Sequence, residues 1–176
     1  MKKFMVLLAV LLLVFAAAFV SGPVWARSLA QMLDVDEDVV VNAAKALPQT
    51  TQSAIFTIVG GPIEILSLTG EVTTVIQTQA NSIDIVANPT AGVDTGLAAA
   101  LNISAHPVGT FYSMVTSITT ALASYTGGIG PTMGGVFSVV VPVGAIEVGA
   151  TASNTGNVTW RLRYRPLHQG VVVTAN

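Results

Sequence analysis

The sequence predicts an all-β fold, an antiparallel β-sandwich of jelly-roll type, preceded by an N-terminal hydrophobic helix. Runs rich in Val, Ile and Thr recur from Pro48 onward and are separated by Gly, Pro and Asn, which is typical of short antiparallel strands. No helical pattern of about 10–15 residues lies between these runs, so a parallel α/β fold is disfavoured. A long apolar stretch near the N-terminus accounts for the helix.

The N-terminal segment has the order of an export signal. Two lysines precede an apolar run of 17 residues, Phe4 to Val20, and small residues then stand before a cleavage site between Ala26 and Arg27. Residues 1–26 are therefore predicted to be a signal peptide. The run is also long enough for a retained membrane anchor, with membrane contact through residues 4–20. A third possibility is that the start codon is assigned too early, in which case the working protein lacks this segment.

Residues 27–47 are predicted to form a short helix and an acidic connector. Leu29, Met32 and Leu33 have helical spacing, and a first strand is expected at Val39–Val41. Between them lie four acids in five positions, which we interpret either as a solvated linker or as partners for arginines further along the chain. These acids are Asp34, Asp36, Glu37 and Asp38.

The domain from residue 48 to 176 is predicted to contain a series of strands. Thr69-Gly70 is expected to end one of them, and Ser117–Ala123 is expected either to continue the preceding strand or to form a short helix. The predicted strands are Gln52–Val59, Ile63–Leu68, Glu71–Gln79, Ser82–Ala87, Leu97–Ser104, Gly109–Thr116, Gly135–Val143, Ala145–Ala152, Val158–Arg165 and Val171–Thr174.

The charge distribution excludes some partners and suggests others. Removal of Lys2 and Lys3 from seven bases leaves five, against nine acids, for a net charge of −4, which disfavours nucleic-acid binding. Between Lys45 and Arg161 there is no Lys or Arg, and several predicted strands are apolar on both faces. Since monomers usually guard their sheets with charge, much of this surface is expected to be buried against copies of the chain or a partner. A surface kept soluble by Thr, Ser and Asn is the alternative.

The sharpest local pattern is an alternation of arginines with apolar residues. Period two places Arg161, Arg163 and Arg165 on one face of a strand, with Trp160 and two other core residues on the opposite face. Three readings stay open for these guanidinium groups. They form structural salt bridges on a solvent face, pair with the acid cluster of the same or a neighbouring chain, or bind an anionic ligand.

No pattern in the sequence predicts a catalytic or metal site. The chain has no Cys, no HExxH and no GxSxG, and His106 and His168 have no partner at metal-ligand spacing. The glycine-rich stretch Gly127–Gly135 lacks the ending of a phosphate-binding loop and is predicted to be a flexible loop. We therefore expect no enzyme, no cofactor and no metal.

Six stretches of the domain are distinctive as strings of residues. They are Leu47–Gln52, Ile55–Ile63, Gly70–Gln77, Ala87–Thr90, Ala152–Trp160 and Tyr164–Leu167. Together they resemble small β-rich proteins of tailed bacteriophages. The resemblance implies a non-enzymatic virion component, such as a head decoration, spike or tail-associated protein, that forms homo-oligomers and contacts other virion proteins, and it carries no functional residues over. An exported cell-surface binding module, lectin-like or adhesin-like, is the rival that the N-terminal pattern favours.

Overall fold

Strands and the loops between them make up the described part of the protein. The computed structural model describes residues 39–48, 52–115, 117–127 and 138–176, which fall within one unit, Glu37–Asn176. No helix occurs in these ranges. The strands are β1 (Val39–Ala46), β2 (Ser53–Val59), β3 (Ile63–Thr74), β4 (Ser82–Pro89), β5 (Thr95–Asn102), β6 (Phe111–Ser113), β7 (Ala123–Tyr125), β8 (Val139–Val141), β9 (Gly144–Ala150), β10 (Asn157–Pro166) and β11 (Val172–Ala175).

The strands form two antiparallel sheets. Sheet A has the order β1-β10-β3-β6-β7, with β8 pairing with the first residues of β3, and sheet B has the order β11-β2-β9-β4-β5. All pairings between these strands are antiparallel. A single parallel bridge, Ala99 to Ala121, joins β5 to the residues just before β7 and so links the two sheets at one side.

One hydrophobic core takes side chains from both sheets. In β10 of sheet A, Trp160 and Leu162 are buried, and in β4 of sheet B, Ile83 and Ile85 are buried. Burial of each large apolar side chain contributes about 1.5–3 kcal/mol, so this shared core holds the sheets together. The predicted all-β class with antiparallel sheets is confirmed, and the architecture is sandwich-like.

The strand β3 runs without a break through the predicted turn at Thr69-Gly70, so that prediction is wrong. Gly70 lies opposite Trp160 in the pairing of β3 with β10. A Cβ atom at Gly70 would lie only 2.9 Å from Cε3 of Trp160. The glycine therefore makes room for the indole ring inside a continuous strand, rather than ending the strand.

The other predicted strands occur at the expected positions in the described ranges, but the residues at which they begin and end differ from the prediction. The first strand extends beyond Val41 to Ala46 and pairs with β10 along its whole length. The prediction for Gly109–Thr116 shrinks to β6, and Ser117–Ala123 is mostly a turn rather than a helix or a continuous strand.

Several predictions concern residues that lie outside the described ranges. They include the signal peptide or anchor, cleavage between Ala26 and Arg27, the hydrophobic helix, the acid cluster and most of the loop Gly127–Gly135. These stay predictions. In the ranges that the structure does describe, no helix has the length and apolar character needed to span a membrane.

Candidate functional site

The three arginines of β10 lie on the outer face of sheet A, as predicted. Arg161 is exposed, Arg163 and Arg165 are half-buried, and the residues that alternate with them point into the core. Because β10 lies between β1 and β3, the guanidinium groups rise from the middle of the sheet rather than from its edge. We call these residues the arginine stripe.

The neighbours of Arg161 across the sheet are polar but uncharged. Its partner on β1 is Asn42 and its partner on β3 is Thr69. Among the described residues, no acid lies within ion-pair distance of Arg161. This arginine therefore offers a charged, exposed group whose directly opposite neighbours are neutral, with Glu71 of β3 as a diagonal neighbour on the same face.

Arg165 forms a salt bridge that the sequence did not single out. Its Nη1 atom lies 3.3 Å from Oε2 of Glu64, its partner on β3. A register shift between Arg163 and Tyr164 sets this pairing. Since the side chains are 36% and 22% exposed, the pair contributes about 0.2–1 kcal/mol. Arg163 and Arg165 also interact with further groups of the chain.

The predicted acidic partners of the arginine stripe lie outside the described residues. Val39 directly follows Asp38 and is the pairing partner of Tyr164 on β10. The cluster therefore precedes a strand that pairs with the arginine strand. The pairing of Asp34, Asp36, Glu37 or Asp38 with arginines stays a prediction.

Two acids occupy the outer face of sheet B, which carries no base. Asp84 on β4 and Glu147 on β9 alternate with fully buried isoleucines and valines, so both point outward. The carboxylate of Asp84 lies over Gly149, its cross-strand partner, where a Cβ atom would clash with it. Nδ2 of Asn88 donates a hydrogen bond of 3.2 Å to Oε1 of Glu147. Sequence reasoning missed this pair, because only the register of β4 with β9 brings the two acids together.

A second cluster consists of three rings at one end of the core. Nδ1 of His106 is hydrogen-bonded to the hydroxyl of Tyr112 at 2.9 Å, and Tyr112 stacks on Trp160 with ring centroids 6.2 Å apart. Burial lowers the pKa of His106 and raises the pKa of Tyr112. Both groups are therefore held neutral, which suits a structural contact between a loop and the core.

The described residues offer no metal site. They contain no group of three or more His, Cys, Asp or Glu side chains that could hold an ion. Comparison with protein-family models, with curated proteins and with solved structures found no match to this chain. The features from which a function can be argued are thus on the surface: the arginine stripe of sheet A, the acidic face of sheet B and the exposed apolar side chains.

Proposed function

We propose that this protein is a non-enzymatic structural protein that works in multiple copies, as a component of a virus particle. Head decoration, a spike and a tail-associated position all fit this role, and the sandwich would have jelly-roll connectivity. Copies would assemble through apolar sheet surface, in contact with other virion proteins. The observation that carries the proposal is the apolar surface that the domain exposes to solvent.

Three of the seven exposed large apolar side chains in the described part of the chain lie where β2 meets β11. Val59 and Val172 are cross-strand partners and are 46% and 50% exposed. Leu167, also exposed, lies at the same end, since its N–H donates to the carbonyl of Pro62 just beyond the end of β2. We call these three residues the valine patch. Adjacent exposed apolar side chains are typical of protein contact surfaces.

Four of the outer strands also lack the charges that usually prevent association, whereas the edge strand β1 carries Lys45. The strands β5, β7, β8 and β11 contain no charged residue, and Val140 in the middle of β8 is 59% exposed. Natural sheets guard such edges with Lys or other charges, because unguarded edges pair with further chains. Assembly is a direct use for strands of this composition.

The second candidate is an exported cell-surface binding module of lectin or adhesin type. The N-terminal signal pattern, Phe4–Val20 with the Ala26–Arg27 cleavage site, favours it. An anionic ligand would then bind the arginine stripe, or a ligand would contact the loop Gly127–Gly135. The two candidates differ in location, a virion against the cell surface, and in the size of the protein in solution.

Sedimentation of the full chain over a range of concentrations tests the proposal. We expect oligomers that dissociate when Val172→Thr replaces a methyl group of the valine patch by a hydroxyl. Val75→Thr is the matched control, because Val75 is 56% exposed, close to the 50% of Val172. Val75 follows the C-terminal end of β3, whereas the valine patch lies near the N-terminal end of that strand. Detection of the chain in purified particles by mass spectrometry tests the location. A stable monomer that binds glycans would contradict the proposal and support the module.

A further inference from the structure

We propose that the outer face of sheet B in one copy binds the arginine stripe in the next copy. This inference rests on the proposed assembly and names the two surfaces that meet. Asp84 and Glu147 supply the carboxylates of the contact. Arg161 supplies its main guanidinium group, and Arg163 supplies a second one beside it. The contact joins two different faces, so each copy offers one of each kind.

Charge is segregated between the sheets. The outer face of sheet A carries the three arginines of the stripe and two acids, Glu64 and Glu71, for a net charge of +1. Lys45 pairs with the buried Val158 and so lies on the core-facing side of β1. The strands of sheet B carry two acids, Asp84 and Glu147, and no base. Opposite faces of one domain therefore have opposite net charge, which makes the molecule complementary to a copy of itself.

The two acids are held in place before any partner binds. The carboxylate of Asp84 lies against the backbone of Gly149, in space that any other residue would fill with a side chain. Glu147 is oriented by the hydrogen bond from Asn88. Fixed carboxylates lose little conformational freedom on binding, and they present their oxygen atoms in the geometry that guanidinium groups recognise.

The spacing of the acids fits the spacing of the arginines. Glu147 pairs with Val86, two residues after Asp84 on β4, so the acids are diagonal neighbours on adjacent strands. Diagonal neighbours lie about 7–8 Å apart. Arg161 and Arg163 are two positions apart on one strand, which is about 7 Å. Two guanidinium groups can therefore meet two carboxylates at the same time.

The outer face around the two acids carries small residues and one valine. Ala54 is the partner of Glu147 on β2, and Gly149 lies under Asp84. Val86, the partner of Glu147 on β4, shares this face and is only 6% exposed. The short side chains beside the carboxylates suit face-to-face packing of sheets, which occurs at about 10 Å.

A contact between unlike faces has a consequence for assembly. After two copies bind, the pair still offers one arginine stripe, on one copy, and one acidic face, on the other. Such a head-to-tail contact produces a ring where the rotation between copies closes, and a filament where it does not. We take a second copy of the chain as the partner that binds each face, because it supplies the complementary surface without another protein.

Paired charge reversals of the full chain test the contact. The first variant carries Arg161→Glu and Arg163→Glu, and the second carries Asp84→Arg and Glu147→Arg. We expect each variant alone to assemble at least tenfold more weakly, and an equal mixture to regain assembly, because each reversed face then meets its complement. Asp94→Arg is the control for a single charge reversal, since Asp94 lies in the loop after β4 and is compared with Asp84→Arg alone.

The outcomes separate this inference from the proposed function. If the second variant fails to fold by circular dichroism, Asp84→Asn with Glu147→Gln replaces it and should also weaken assembly. Wild-type assembly that neither acidic variant changes would overturn the inference and leave the proposed function intact. The inference would also be overturned if neutralising Asp34, Asp36, Glu37 and Asp38 abolished assembly while the variants of Asp84 and Glu147 left it unchanged. A wild-type chain that never assembles contradicts the proposed function itself.

Discussion

Substitution of Gly70 by alanine tests whether the packing of Trp160 requires a residue without a side chain. The new Cβ atom would lie 2.9 Å from Cε3 and Cζ3 of Trp160 and 2.9 Å from Cγ1 of Val158. Both neighbours are buried and cannot move into solvent. Gly70→Ala should therefore crowd the core rather than fill a space.

The expected effect combines two terms of opposite sign. Overpacking of a core costs about 1–3 kcal/mol, whereas replacing glycine by alanine inside a strand returns about 0.5–1 kcal/mol. The free energy of unfolding should fall by about 1 kcal/mol. Gly96→Ala is the matched control, because Gly96 lies in β5 and its Cβ atom would meet nothing within 4 Å. The difference between the two variants, about 1–3 kcal/mol, isolates the crowding.

Urea denaturation followed by circular dichroism measures both variants. A double-mutant cycle with Trp160→Phe adds a direct test, because the smaller ring removes the two atoms nearest to the new methyl group. In that background, Gly70→Ala should cost at least 0.5 kcal/mol less, as is typical of residues in contact. If Gly70→Ala stabilises the protein as much as Gly96→Ala does, the assigned role of Gly70 is wrong.

Three further predictions follow from the loop and the salt bridge. Burial lowers the pKa of His106, so the unfolded chain binds more protons than the folded protein as the pH falls. The free energy of unfolding should therefore be highest above about pH 6.5 and should fall as the pH drops through the lowered pKa. Urea titrations at several pH values should show a smaller fall in His106→Gln. A pH-independent difference between the two proteins would contradict this. Ala105 has φ 59°, so Ala105→Gly should increase the free energy of unfolding by up to about 1 kcal/mol and raise the melting temperature accordingly. A lower melting temperature would show that the loop needs the methyl group. Glu64→Gln should cost about 0.2–1 kcal/mol and less in high salt; an unchanged value at low salt would mean that the bridge to Arg165 contributes nothing.

Most of the strands could be predicted from local sequence, because their signals are local. Alternation alone separated Trp160 and Leu162 from the arginines, and the structure confirms both faces. Gly70 misled the prediction, since a glycine that ends a strand and one that makes room for a ring look alike in sequence. The difference is set by Trp160, 90 positions away, which only the pairing of β3 with β10 brings into contact.

The candidate surfaces were predictable only in part. The arginine stripe follows from a period of two along one strand, whereas its bridge to Glu64 depends on a register shift that no local pattern encodes. The acids Asp84 and Glu147 likewise look scattered in the sequence and become neighbours through the pairing of β4 with β9. Cross-strand register is a property of the whole sheet, so single-strand reasoning cannot supply it.

The order of strands in sheet A also bears on when the chain can fold. Its inner strand β10 is synthesised after β2 to β9 but lies between β1 and β3, and its residue Tyr164 pairs with Val39, 125 positions earlier. Contacts so distant in sequence form slowly, because a long loop must close before they contribute. Until β10 leaves the ribosome, β1 has no partner in its sheet. Sheet A can therefore be completed only late in synthesis, after β10 has emerged.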